Sequence, residues 1–177
     1  MRARLNLKVA GLLAVIFCVQ FLTMPAKLYV GDAVAIREET RSLLSFGELS
    51  VPSGFAINFG DPGQYFVKNE QDGKHYSKYG LMNSLMFLPP MLLQMIIDGE
   101  LHAFGTPATI MYLNLWNIAL SLALAWVLFL TAGLYTERFA WRAAFVLISF
   151  YSTFLWNYLR AQTVEIFHVL LFSCLLL

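Results

Sequence analysis

The sequence predicts an all-α, polytopic membrane protein with a long polar loop on one side of the bilayer. Three observations predict it. The 177-residue chain is 59% hydrophobic, with a mean hydropathy of +0.64, above the apolar share of an ordinary soluble domain. It holds uncharged apolar runs, Val9–Thr23 and Ala108–Tyr135 among them, of the kind that bilayer-crossing helices need. Its basic residues gather beside those runs, with Arg2, Arg4 and Lys8 before the first and Arg138 and Arg142 after the second, which orients the chain by the excess of cations on the cytoplasmic side. The formal net charge of +1 gives no reason to expect a nucleic-acid partner. Cys18 and Cys174 both lie inside apolar runs and form neither a metal-binding pattern nor a disulfide framework.

Taken in order, a basic start followed by an apolar run has two readings. A signal peptide is one, but Thr23-Met-Pro-Ala-Lys27 is a poor cleavage site. The preferred reading is an uncleaved first spanning helix over 9–26, its N-terminus in the cytoplasm. The outer loop, 28–80, holds most of the acidic residues. Within it a surface helix is expected from Asp32 to about Phe46, with Ile36, Thr40, Leu43 and Leu44 on one face and Arg37, Glu38 and Arg41 on another. Gly47 is its natural stop. The Val51–Gly54 and Gly60–Gly63 passages read as turns. Gln64–Asn69 and Lys74–Tyr79 are expected to pair as a hairpin across Asp72-Gly73.

The uncharged stretch 81–97 contains Pro89-Pro90, which removes backbone donors from a helix interior. It is therefore expected to be a broken, juxtamembrane or re-entrant segment and not a full crossing. Thr106-Pro107 is a good helix start for a second spanning helix over 107–135. A third follows over 139–159, and a fourth begins at 163–177, giving about four spans. The chain stops inside an apolar run at Leu177, so the expectation is the N-terminal piece of a longer protein.

The candidate chemistry lies where polar residues meet apolar ones. Gly73-Lys-His-Tyr-Ser-Lys-Tyr-Gly80 carries two lysines and two tyrosines directly ahead of the 81–97 segment. Lys78, with His75, Tyr76 and Tyr79, has the cation and the headgroup-level aromatics that would hold a phosphate whose tail stays in lipid. The same residues equally describe an ordinary interfacial anchor. Asp32 reads as a carboxylate at a cavity mouth, placed to take a proton from a hydroxyl, or as a helix N-cap. Glu165 is an ionisable group near the outer end of the last apolar run, where such groups are functional by default. His168 shares its helix face, so a hydrogen-bonded pair is the expectation and no metal site follows from two residues. Asp98 and Glu100, around Gly99, read as solvated loop charges. Arg160 is either a bidentate phosphate contact or an end-of-helix anchor. The chain carries no Gly-rich phosphate loop, no Ser/His/Asp arrangement and no zinc spacing, which argues against a soluble nucleotide donor and leaves no cofactor to expect.

This order of parts resembles the N-terminal half of the membrane domain of GT-C glycosyltransferases, which use polyprenyl-phosphate sugars, as protein O-mannosyltransferases and lipid A aminoarabinose transferases do. The residues carrying the resemblance are Gly31-Asp32 in the first outer loop, Lys78 within Tyr76-Ser-Lys-Tyr-Gly80, and Glu165. It implies a GT-C-like helix bundle in the inner membrane, multi-pass, with the long loop on the periplasmic side. It also implies a polyprenyl-phosphate-linked sugar donor and a lipid, glycan or protein acceptor. Asp32 takes the catalytic place of the family's acidic residue, Lys78 the phosphate-contacting place, and Glu165 the place of a second acidic residue. The chain departs from the pattern in two places. Ala33 follows Asp32 where many members carry a second acid, and Pro89-Pro90 stands well after Lys78. The reading of another class is a non-catalytic membrane protein, either a transporter fragment or an assembly subunit.

Overall fold

The structure, a computed structural model, describes residues 2–27, 31–58, 62–102, 105–160 and 165–177. The expected turn at Gly60–Gly63 and the loop after Arg160 lie partly outside these. The chain is mostly helical and divides into two compact units, one formed by Met1–Pro25 with Asn114–Leu177, the other by Ala26–Leu113.

The unit Ala26–Leu113 opens with α2, Gly31–Phe46 (α1 precedes it, Arg2–Leu22), then β1, Ser50–Val51, the short helices α3, Ser53–Asn58, and α4, Pro62–Tyr65, and the strands β2, Phe66–Lys68, and β3, His75–Ser77. The long helix α5, Leu81–Asp98, and the start of α6, Pro107–Gly133, complete it. The expected hairpin forms, with Val67 opposite Tyr76 and Lys68 opposite His75. Its turn needs Gly73 at φ +69°, a conformation open to glycine at no steric cost. Asp72 holds that turn together. It accepts from the backbone of Lys74 at 2.9 Å and from the Tyr76 hydroxyl at 2.8 Å. Val51, expected in a turn, instead joins Ser50 in a third strand, in the order β1-β3-β2. The chain is therefore not all-α. The small sheet packs onto α2 through Val51, Phe66, Ala56 and Ala35, with Phe55, Tyr65 and Tyr79 against that cluster.

Two expectations are corrected in this unit. The helix at Asp32–Phe46 exists, but it is not a surface helix, since Arg37, Glu38, Glu39 and Thr40 are as buried as Ala35 and Ile36. Its charges can be buried because each finds a partner. Arg37 pairs with Glu38 and donates to the His102 carbonyl at 2.7 Å. Ser84 donates to Glu39, and Thr40 donates to the Ser84 carbonyl at 2.8 Å. Burial and the neighbouring Arg41 lower the Arg37 pKa, opposed by Glu38.

The second correction concerns α5, which is one unbroken 18-residue helix through Pro89 and Pro90. Each proline removes one helical hydrogen bond, but the face bearing Ser84, Phe87, Met91 and Gln94 is fully packed, and Gln94 bonds Thr109 at 3.2 Å. Tertiary packing offsets the two missing donors. The opposite face leaves Leu85, Leu92, Ile96 and Ile97 exposed, an apolar surface of the kind that lipid covers. Asp98 is likewise no simple solvated charge, for it meets His102 at 2.9 Å and the Tyr112 hydroxyl at 3.0 Å.

In the other unit, α1 buries Val9, Leu12, Ile16 and Gln20, a stripe at helical spacing, while Leu7, Val15, Phe17 and Leu22 stay exposed. The remainder of α6 contributes Leu124, Ala125 and Phe129 to the core. It is followed by α7, Phe139–Tyr151, α8, Leu155–Arg160, and α9, Glu165–Leu175. The expected single span over 139–159 is thus two helices. The Thr153 hydroxyl explains the break, since it donates back to the Ser149 carbonyl at 2.7 Å and accepts from the Leu155 backbone at 3.1 Å. Such local bonding offers the backbone an alternative to the helical ladder.

Among the described residues two helices are long and apolar enough to cross a membrane, α5 and α6. The first is the segment expected not to cross. The other apolar stretches, Leu7–Leu22 within α1, Phe139–Tyr151 and Glu165–Leu175, are shorter.

Candidate functional site

Asp32 lies inside the first turn of α2 and not ahead of it, so the N-cap position is not the one it holds. Its carboxylate accepts a hydrogen bond from the Tyr79 hydroxyl at 2.7 Å, across 47 positions of sequence. The hydroxyl is thereby kept in its protonated, donating form. Burial raises the Tyr79 pKa well above the ordinary tyrosine value of 10.0, and the bond to Asp32 raises it further. The first turn of a helix also favours a carboxylate there, through its unpaired backbone N–H groups.

Two further residues close around this pair. Tyr65, at the end of α4, stands over the backbone of Gly31, where an added Cβ would lie 2.5 Å from its ring. Only glycine admits so close a ring. The Tyr65 carbonyl accepts from the Lys78 backbone at 3.1 Å, and the Lys78 ammonium donates to the Gly63 carbonyl. Gly31, Asp32, Tyr65, Lys78 and Tyr79 thus gather at one end of α2, beside the start of α5. Sequence reasoning named Asp32, Lys78 and Tyr79 but missed Tyr65. The available signal was Gly31, a glycine at a helix start that nothing local required.

The other expected residues are placed differently. Tyr76 serves the hairpin turn through Asp72. His75 is buried in β3, its Nδ1 without a hydrogen-bond partner, so it is a sheet residue and not part of a cationic lip. Lys74 forms an exposed ion pair with Glu48 at 2.5 Å.

Arg160 and Glu165 belong to the unit built on α1 and α6–α9. The Arg160 guanidinium donates to the Thr23 carbonyl at 3.0 Å and lies 5.3 Å from the Trp156 ring centre. It lines a narrow polar cavity with Gln20, Asn114 and Asn117. Asn114 bonds the Pro25 carbonyl at 2.9 Å, and Asn117 bonds the Leu159 carbonyl, while the Gln20 amide nitrogen is buried without a partner. Arg160 therefore ties the end of α8 to the end of α1. Glu165 opens α9, one of its carboxylate oxygens buried and unpaired. His168 is exposed, against the Phe167 ring at 6.3 Å. Among the described residues no group of three or more His, Cys, Asp or Glu side chains gathers as a metal site would require. Compared with known proteins, the chain matches no family model, no curated protein and no solved structure.

Proposed function

We propose that this chain is part of a membrane glycosyltransferase that moves a sugar from a polyprenyl-phosphate donor to an acceptor hydroxyl. One observation carries the reading. The Tyr79 hydroxyl meets the Asp32 carboxylate, with Lys78 one residue away. A base thus meets an orienting donor 47 positions away, and a cation precedes that donor in the chain, just ahead of an apolar helix. In this reading Asp32 is the general base. The acceptor O–H gives its proton to Asp32 as its oxygen bonds the anomeric carbon. The bond from that carbon to the phosphate oxygen breaks on the opposite face, with inversion, and the polyprenyl phosphate leaves with the electron pair. The leaving group is already a phosphate and needs little acid help. A positioned base of this kind contributes roughly 10²–10⁴-fold. Tyr79 fixes the rotamer of Asp32 and leaves its second oxygen for the acceptor. The Lys78 ammonium has three donors, of which Gly63 takes one, leaving the others for phosphate.

A non-catalytic membrane protein is the second reading. The carbonyl contacts made by Lys78 and Arg160 favour it, since each cation already has a structural role. Asp32→Asn in the complete gene product separates the two. Asn keeps the acceptor for Tyr79 but cannot take a proton. The transferase reading expects normal membrane level and transfer nearly abolished. Transfer at the wild-type rate would remove Asp32 from the mechanism.

A further inference from the structure

The turn between α6 and α7 holds a second constellation, independent of the proposed chemistry. A cleft of about 300 Å³ opens there, lined by Thr131, Ala132, Tyr135, Thr136, Trp141 and Phe145. Its walls are apolar, and Tyr135 and Trp141 are 86% and 64% exposed. Cations stand beside it. The Arg142 guanidinium donates to the Thr136 carbonyl at 2.7 Å and lies 5.5 Å from the Phe129 ring centre. The Phe129 and Phe139 rings are 5.7 Å apart, and the Lys8 ammonium is 5.9 Å from the second. Arg138 is exposed, and its guanidinium has no partner among the described residues. Glu137, the acid next to Arg138 in the chain, is also exposed. Three cations against one carboxylate, over an aromatic-walled apolar cleft, match a ligand with an anionic head and a hydrocarbon tail. A soluble anion has no use for the cleft, and a neutral lipid has none for the cations.

We propose that this turn is a binding site for an anionic phospholipid, its tail against Tyr135, Trp141 and Phe145 and its phosphate held by Arg138 with Lys8 and Arg142. The site rests on membrane embedding and not on the transferase reading. Basic residues at a helix end read as cytoplasmic, where the leaflet is rich in anionic lipid. Each cation near such a surface strengthens binding about fivefold. Arg142 and Lys8 lie against the Phe129 and Phe139 rings, and the exposed Arg138 supplies the contact not already engaged.

The test reconstitutes the full chain into phosphatidylcholine vesicles containing brominated phosphatidylglycerol or brominated phosphatidylcholine and reads quenching of tryptophan fluorescence. Trp141→Phe identifies the component that belongs to the cleft. The expected result is quenching of that component at a lower mole fraction of phosphatidylglycerol than of phosphatidylcholine. Arg138→Gln should reduce the preference about fivefold, Arg138→Lys should keep it, and Glu137→Gln should increase it. Because both varied side chains are exposed, helicity by circular dichroism should not change. Equal quenching by the two lipids would reduce the cleft to ordinary lipid contact and overturn the proposal. So would an unchanged preference in Arg138→Gln, or relief of the preference by inorganic phosphate alone.

Discussion

The contact between Tyr79 and Asp32 makes a prediction that does not depend on knowing the substrate. Tyr79→Phe removes a hydroxyl that donates to a carboxylate at 2.7 Å. Hydrogen bonds to charged groups contribute about 1.5–3 kcal/mol, and both side chains here are only half-buried, so solvent screening places the contact near the lower limit. Asp32→Ala should lose a similar amount, and the double variant little more than either alone, giving a coupling of about 1.5 kcal/mol. In a chain of this size that corresponds to about 4 °C in Tm. Asp32→Asn should retain a weaker, neutral bond and fall between wild type and Asp32→Ala. The same bond has a signature in pH. Folding raises the tyrosine's pKa from its ordinary 10.0, so above pH 10 the folded state holds a proton that the unfolded state has lost. Its contribution is complete below pH 10 and disappears as pH rises through the raised value. Tyr76, raised by its bond to Asp72, titrates in the same window, which makes Tyr76→Phe the control. Thermal unfolding of the detergent-solubilised protein from pH 8 upward reads both effects. Additive losses in the double variant, with an alkaline slope that Tyr79→Phe leaves unchanged, would refute the contact and the base assignment that leans on it.

Glu39 gives a test of the same sign at lower pH. Its burial raises its pKa above 4.5, with the Ser84 bond pulling the other way, so stability should fall as pH climbs from 4.5 through the raised value. Glu39→Gln should flatten that slope and be more stable than wild type at neutral pH, as read by denaturation across pH. Gly31→Ala drives a methyl into the Tyr65 ring and should cost about 1–3 kcal/mol, as overpacking does; Gly31→Ala with Tyr65→Ala should recover part of it. Lys78→Ala should weaken donor binding more than Lys74→Ala, because Lys74 is paired with Glu48 at the far end of the hairpin; equal effects in a donor-binding assay would make Lys78 an anchor only. Cysteine labelling at Ser53 and Thr136, after replacing the exposed Cys18 and Cys174, should reach Ser53 from the outer side and Thr136 from the inner side. Equal outer access would mean that α5 crosses the bilayer.

Local chemistry accounts for what was legible in the residues themselves. The Asp72-Gly73 turn and its hairpin, the helix start at Thr106-Pro107 and the helix stop at Gly47 each depend on a few adjacent positions, and each stands where the residues put it. The apolar runs are equally plain, because hydropathy is a property of composition. What tertiary structure alone decided were the features set by distant partners. Arg37 and Glu38 read as the polar face of a surface helix until Arg37 finds Glu38 and the His102 carbonyl, as Glu39 finds Ser84, and Pro89-Pro90 read as a break until the packed face of α5 compensates for the lost donors. The helix break at Thr153 turns on which carbonyl its hydroxyl reaches, and helical periodicity does not encode that. At the candidate site the sequence by itself determined which residue types were present: a carboxylate, a lysine and a tyrosine near apolar segments. Their meeting, with Tyr65 seated over Gly31, was decided by folding, since a contact across 47 positions exists only once the sheet has packed against α2.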